Sequence, residues 1–173
     1  MADLQALANI AEILGTLTIV GGAVFAVVQL REFRLQRRQA VAVELFRSFH
    51  DPELAHAVNL IRALPDGVPA AELRSRGQEY ERAAVMISTT YEAFALLVFR
   101  DMTSFSMVRD LTGGLAVVMW RKLEPWTASV RAEQAQPSWG EWFQWLADQL
   151  AREREHKESN PAYERFATWR PRS

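Results

Sequence analysis

Hydrophobic positions fill the beginning of the chain and afterwards recur at a helical spacing. The run 13–30, ILGTLTIVGGAVFAVVQL, contains no charged residue. As a helix it spans roughly 27 Å, and the longer run 10–30 spans roughly 32 Å, close to a hydrocarbon core of about 30 Å. Leu, Ile, Val and Phe occur on every side, so no polar face remains for water. The pattern predicts a single transmembrane helix, with the buried central helix of a soluble bundle as the alternative.

The charges that flank this run predict its orientation. Arg31, Arg34, Arg37 and Arg38 follow it directly, whereas residues 1–30 contain no Lys or Arg. The positive-inside rule places such a cluster in the cytoplasm, where it also contacts anionic lipid headgroups. Because the basic residues follow the apolar run, a cleaved signal peptide fits poorly. We therefore expect a single-pass protein of the bacterial inner membrane with its N-terminus outside.

Small residues form a stripe along the predicted span. Gly15, Thr18, Gly22 and Ala26 recur at intervals of three or four residues. Such spacing lets two helix backbones approach closely in lipid. The stripe indicates contact with a second copy or with a partner subunit; the alternative is that Gly and Ala are simply frequent in membrane helices.

The pattern beyond residue 30 predicts only helices, so the fold class is all-α. The transmembrane helix should continue to about residue 49, and Asp51 and Pro52 should cap and start the next helix. Further helices are predicted over about 79–100, 104–123 and 126–133, and after a capping box, Ser138 to Glu141. Gly113 and Gly114 should either kink the second of these helices or mark a closely packed neighbour, and Pro125 should mark a bend before the third. The turn LPDGVP occupies 64–69. These elements define an anchor (1–31), a small cytoplasmic helical bundle (32–158) and a C-terminal tail (159–173).

Composition narrows the function classes. The chain has 173 residues, a net charge of -1 and no cysteine. Near-neutral charge disfavours nucleic acid as a partner, and the lack of cysteine excludes disulfides, thiolate metal sites and thiol nucleophiles. No nucleotide-binding or hydrolase motif occurs. We therefore expect no enzymatic activity and no cofactor.

One pattern favours a metal site as an alternative. Glu53 and His56, and again Glu153 and His156, form Glu-x-x-His pairs. Ferritin-like bundles bind two metal ions with two such pairs and two further carboxylates. However, Glu53 lies where a carboxylate stabilises a helix start, and Glu153 lies in the most charged run of the chain.

Three segments carry a resemblance to a known family. They are YEAFALLVFRDM (91–102), WRKLEPW (120–126) followed by Arg131, and FQWLADQL (143–150). The chain resembles a bacterial domain-of-unknown-function family of small membrane-anchored helical proteins. The resemblance implies an N-terminal membrane helix, a basic juxtamembrane stretch and a helical domain, but no reaction. It also implies that the following residues form the domain's signature: Tyr91, Glu92, Trp120, Pro125, Trp126 and Arg131.

Glu92 is the charged residue that stands out in this signature. It lies on an otherwise apolar predicted helix, and a buried carboxylate requires a cationic partner. Arg131 and Arg121 are the candidates, and we expect a buried Glu92–Arg131 pair that fixes the helix register. A ligand-binding or catalytic carboxylate is the alternative.

The tail and the anchor together indicate the function. Tyr163, Phe166 and Trp169 place three aromatic rings in a short segment, which is typical of a partner contact, although a frayed terminus is the alternative. We expect a non-catalytic interaction protein, an accessory or structural subunit of an inner-membrane complex or a homo-oligomer. Its partners would be membrane lipid and integral membrane subunits or a second copy. The alternatives are the metalloprotein above and a sensor of anionic lipid that uses the arginine cluster.

Overall fold

The computed structural model describes residues 19–33, 47, 49–112, 114–156 and 161–171, with the side chains of 155 and 156 left out. The contacts divide the chain into two units, Met1–Val43 and Glu44–Ser173. Within the described ranges the regular structure is helical, and no strand occurs. The predicted all-α class is therefore confirmed for this part of the chain.

Helix α1 covers the described residues of the first unit, 19–33. Every residue in it is exposed, including Ile19 at 73%, Phe25 at 65% and Leu30 at 58%. The predicted span begins earlier, and its first residues lie outside the described part.

The second unit contains seven helices within the described ranges. They are α2 (Pro52–Arg62), α3 (Ala70–Ser75), α4 (Gln78–Phe99), α5 (Phe105–Thr112), α6 (Leu115–Glu133), α7 (Glu141–His156) and α8 (Ala162–Arg165). Helix α4 is central, since it packs against α2 on one side and α7 on another, while α6 packs against α2, α3 and α7. The core therefore lies among α2, α4, α6 and α7.

Helix α4 has the length and composition of a membrane span. Among the described residues it is the one helix that is long and apolar enough to cross a bilayer, and 39% of its most apolar stretch is buried in the protein. The buried residues include Ile87, Tyr91 and Phe94. A core helix of a helical bundle has the same properties, so this finding alone is weak evidence for a membrane crossing.

The start of α2 follows the sequence prediction. The Asp51 side chain accepts a hydrogen bond from Glu53 N at 2.8 Å, and Pro52 occupies the first turn. Leu54, Ala57 and Ile61 are then buried along one face. Asp51 satisfies a backbone donor that the first turn leaves free, which stabilises the start of α2.

The helix predicted over 104–123 is divided into two helices, at the glycines where a kink or a closely packed neighbour is expected. Helix α5 ends at Thr112 and α6 begins at Leu115, after Gly114. A Cβ at Gly114 would lie 2.2 Å from Nη2 of Arg154, so the backbone and this side chain approach closely. Glycine also weakens a helix by about 1 kcal/mol relative to Ala, which favours the break at the Gly-Gly pair.

The helix break predicted before Trp126 does not occur, because α6 continues through Pro125 to Glu133. Pro125 has no N–H, so the carbonyl of Arg121 loses its partner within the helix. Gly67 N donates to that carbonyl at 2.9 Å from the loop between α2 and α3. Gly67 reaches this position with φ +69, a conformation that glycine adopts readily. A tertiary hydrogen bond thus replaces the missing helical one.

Candidate functional site

The start of helix α7 is capped by a carboxylate from helix α4. Phe143 N, in the first turn of α7, donates to Oε2 of the half-buried Glu92 at 2.9 Å. The first turn of a helix has backbone donors without internal partners, and a negative charge there is favourable. The capping box predicted at Ser138 is wrong, since α7 begins only at Glu141 and Ser138 lies exposed in the preceding turn.

Arg131 contacts the same helix start from the end of α6. Its Nε donates to the carbonyl of Trp139 at 2.7 Å, and its Nη1 donates to Oε1 of Gln144 at 3.0 Å. Arg131 therefore holds the turn before α7, while Glu92 holds the first turn itself.

The predicted ion pair between Glu92 and Arg131 is not formed. Each side chain instead contacts backbone of the segment that leads into α7, the carboxylate at an N–H and the guanidinium at a carbonyl. These uncharged groups satisfy both charges with charge-assisted hydrogen bonds. The alternative partner, Arg121, lies 3.7 Å from Asp66 at the surface.

Aromatic rings pack around Phe143 beneath this polar contact. Tyr91 stacks on Phe143 with ring centroids 4.9 Å apart, and Trp120 meets it edge to face at 5.2 Å. Phe143 is fully buried. Burial raises the pKa of the Tyr91 hydroxyl well above its usual value, and this hydroxyl has no hydrogen-bond partner in the described part of the chain.

A surface pocket of about 150 Å³ opens beside the capped helix start. It is lined by Ser88, Thr89, Glu92, Gln136, Ser138, Trp139 and Gly140. This lining contains one titratable group, the Glu92 carboxylate, which already accepts from Phe143 N. Beside this carboxylate, the lining contains hydroxyl, amide and indole groups that are capable of hydrogen bonding.

The buried charged residue of the WRKLEPW segment, Lys122, holds a loop. Lys122 is buried, and its Nζ donates to the carbonyl of Leu64 and lies 3.0 Å from Oδ1 of Asp66. The hydrogen bond from Lys122 lowers the pKa of the Asp66 carboxyl below its ordinary value. Together with the Gly67–Arg121 hydrogen bond, this contact fixes the α2–α3 loop on α6. The resemblance-bearing residues thus act in helix packing.

Two of the residues predicted for a metal site, His56 and Glu153, have other partners. Nε2 of His56 lies 2.7 Å from Oε1 of Glu79, and both side chains are 62% exposed. Glu53 is also exposed, and Oε1 of Glu153 accepts from Nη1 of Arg109 at 2.8 Å. The side chain of His156 lies outside the described part. No group of three metal-binding side chains occurs among the described residues.

The predicted membrane and partner residues are described in part. Gly22, Ala26 and Arg31 lie on α1 and are exposed, and a Cβ at Gly22 would meet no atom within 4 Å. Gly15, Thr18, Arg34, Arg37 and Arg38 lie outside the described residues. In the tail, Tyr163 is 75%, Phe166 52% and Trp169 64% exposed. The described residues of both proposed contact surfaces are exposed.

Sequence reasoning missed an exposed aromatic cluster. The Phe99 ring lies 4.5 Å from that of Trp142 and 6.2 Å from that of Trp145. The two tryptophans are three residues apart, which places them on one face of α7, but their relation to Phe99 depends on how α4 and α7 pack. The sequence therefore indicates that the two tryptophans share a face of α7, but not that Phe99 packs beside them.

Comparison with known proteins returns a family without an assigned activity. No curated protein and no solved structure matches the chain. Residues 16–152 match a family described as domain of unknown function DUF4760. This match takes in the capped start of α7 and most of the helical unit. The family that the sequence resemblance indicated is thereby confirmed, and the chain belongs to the DUF4760 family.

Proposed function

We propose that this chain is a single-pass membrane protein whose cytoplasmic helical domain serves as a non-catalytic interaction module. The observation that carries the proposal is helix α1, because all of its described residues are exposed although they are almost entirely apolar. Burying one Val, Leu, Ile or Phe side chain is worth about 1.5–3 kcal/mol. A helix with this composition is stable in lipid and unfavourable in water.

The charges around α1 support its proposed orientation. Arg31 lies within the described helix, and the sequence adds Arg34, Arg37 and Arg38 directly after it. The thirty residues before this cluster contain no basic side chain. This asymmetry favours an outside N-terminus and a cytoplasmic domain in a bacterial inner membrane.

Two surfaces support an interaction role for the anchored chain. Gly22 has open space around its Cα and Ala26 is exposed one turn later on α1, which suits close packing of a second helix. The exposed tail rings suit a protein contact. We therefore propose that the chain is an accessory or structural subunit of an inner-membrane complex, or a homo-oligomer. The signature residues supply packing and no reactive group, which agrees with a non-catalytic role.

The first experiment tests the membrane placement. After cell lysis, the intact chain should remain with the membrane fraction through alkaline carbonate washing. In spheroplasts, protease added from outside should leave the helical domain intact. Recovery of the chain in the soluble fraction would overturn the proposed membrane anchor. Digestion of the helical domain would show that it lies outside, opposite to the proposed orientation.

The second experiment tests the helix contact. Gly22→Leu should reduce cross-linking of the anchor to a second copy or to a co-purifying subunit, because the larger side chain prevents close approach of the two helices. Gly21→Leu is the matched control, since Gly21 is the adjacent glycine and is equally open. Equal cross-linking in Gly22→Leu, Gly21→Leu and the original chain would contradict a specific helix contact.

A further inference from the structure

An aromatic patch lies where the end of α4 meets the first turns of α7. Its rings are Phe99, Trp142 and Trp145, with centroid distances of 4.5, 6.2 and 6.1 Å between the pairs. Leu96 lies one turn earlier on the same side of α4, and Met102 follows in the turn after it. We call these five residues the aromatic patch.

The patch exposes apolar surface that the packing of the domain does not use. Phe99 is 54%, Met102 48% and Leu96 39% exposed, and the two tryptophans are half-buried. These values correspond to an apolar area on the order of 300 Å², a size that in monomeric proteins often has a function. The area is below the roughly 800 Å² that each partner contributes to a stable protein interface. A second copy of the chain is therefore a poor occupant.

The chemistry of the patch suits the interface of a bilayer. Trp is enriched at the headgroup level, where its ring is apolar and its N–H remains hydrated. Arg100 follows Phe99 directly, is exposed and makes no side-chain hydrogen bond or ion pair in the described part of the chain. The Arg100 guanidinium complements anionic headgroups.

We propose that the aromatic patch binds the surface of an anionic bilayer, with its rings at the headgroup level and Arg100 at lipid phosphates. The expected strength of this binding rests on the membrane anchor proposed above. Only the 21 residues 31–51 separate the apolar run from α2, a tether of at most on the order of 70 Å. A short tether raises the effective concentration of the patch at the membrane, so a weak individual contact is sufficient.

The tryptophans of the chain allow a direct test. All six lie at position 120 or later, so their fluorescence reports on the second unit and not on the anchor. Trp120 and Trp126 are buried, and Trp169→Phe removes the exposed tail tryptophan and its fluorescence. In this background the full chain is reconstituted into vesicles of phosphatidylcholine and phosphatidylglycerol, with or without lipid brominated near the headgroup.

We expect brominated lipid to quench part of the tryptophan emission. A Trp142→Phe/Trp145→Phe variant, which keeps aromatic rings at both positions and should fold, should lose this quenching severalfold. Arg100→Glu should weaken it in anionic vesicles, and Val85→Ser, at an exposed apolar site elsewhere on α4, should leave it unchanged. Unquenched emission from a chain that is stably incorporated would overturn the patch proposal and leave the anchor proposal standing.

The opposite failures are also distinguishable. If the chain does not incorporate, it is added to preformed vesicles. Quenching that still depends on Trp142 and Trp145 would support the patch without the anchor, and its absence would overturn the patch. A third outcome is that acrylamide quenching of the tryptophan emission decreases as the protein-to-lipid ratio rises, while brominated lipid has no effect. In that case the patch is a contact between copies of the chain, and the proposal is wrong.

Discussion

Glu92 and Phe143 lie 51 positions apart in the sequence, yet the carboxylate of the first accepts the backbone N–H of the second at 2.9 Å. Tyr91, the neighbour of Glu92, stacks on the ring of the same Phe143. One turn of α4 thus supplies both a polar cap and an apolar contact to the start of α7. Formation of the first turn of α7 is therefore coupled to its packing on α4.

Removal of this cap should destabilise the domain. We expect Glu92→Ala to lower the free energy of unfolding by about 1–2 kcal/mol, since it removes a helix cap and leaves a half-buried N–H without a partner. Glu92→Gln should cost less, because an amide oxygen still accepts the hydrogen bond. Thermal unfolding of the full chain in mild detergent, followed by circular dichroism, measures both changes.

Glu124→Gln serves as the control for the Glu92 variants. Glu124 is exposed on α6, and we expect its substitution to shift stability by less than about 0.5 kcal/mol. An equal loss in Glu92→Ala and Glu124→Gln would show that charge alone, and not the cap on α7, determines the result.

The contact of Lys122 with the α2–α3 loop gives a second prediction. Lys122→Met keeps the length of the side chain but leaves the carbonyl of Leu64 without its donor, so we expect a loss of about 1–3 kcal/mol in unfolding free energy. The neighbouring Arg121→Met is the matched control, because Arg121 is exposed and its contact with Asp66 is long, at 3.7 Å. Its loss should remain below about 1 kcal/mol. Denaturant titration of both variants decides; similar losses would contradict a specific role for Lys122.

The sequence predicted the structural features that depend only on residues close together in the chain. The long apolar stripe gave α4 nearly to the residue, and Asp51 with Pro52 located the start of α2. These features follow from helical periodicity and from capping within one turn. The six-residue helix α3 was missed because so short an element shows no clear period.

The partners of Glu92 and Pro125 could not be predicted in this way. The sequence shows that a carboxylate on an apolar helix needs a partner, but a backbone N–H is present at every position and leaves no signal. Similarly, Pro125 predicts a break in the helix, because the sequence does not show that Gly67 donates to the carbonyl that proline leaves free. Both relations depend on tertiary packing, which a single sequence does not specify.

The buried hydroxyl of Tyr91 predicts a response to alkaline pH. Its pKa is raised by burial in the folded state, whereas an unfolded tyrosine titrates near its usual value of about 10. Above that pH the unfolded chain loses a proton that the folded chain keeps, so stability falls as pH rises. Tyr91→Phe should reduce this fall, and at neutral pH it should cost little, because the hydroxyl lacks a hydrogen-bond partner in the described structure. Melting temperatures at about pH 8 and about pH 11 test this, with the exposed Tyr163→Phe as control.

Arg74 joins three helices and predicts a response to acid. From α3, its Nη1 and Nη2 donate to the two carboxylate oxygens of Glu133 on α6 at 2.7 and 2.8 Å, and its Nε donates to Glu81 on α4 at 3.1 Å. The hydrogen bond from Arg74, followed by that from Ser129, lowers the pKa of the Glu133 carboxyl. A group with a lowered folded pKa stabilises the protein above its unfolded pKa of about 4.3 and loses that contribution as pH falls through the folded value.

Glu133→Gln should therefore make the loss of stability between about pH 5 and about pH 2 less steep. Asp66, whose pKa is lowered as well, retains its own share of the acid dependence in this variant. Arg74→Lys should act differently, because one ammonium group cannot reproduce the paired hydrogen bonds to Glu133. We expect it to lower the melting temperature at about pH 7 and to converge with the original chain in acid, where Glu133 is protonated in both. Glu164→Gln, in the exposed tail, controls for charge removal. Parallel melting curves for Glu133→Gln and the original chain across this range would mean that the Arg74–Glu133 contact does not contribute to folding stability.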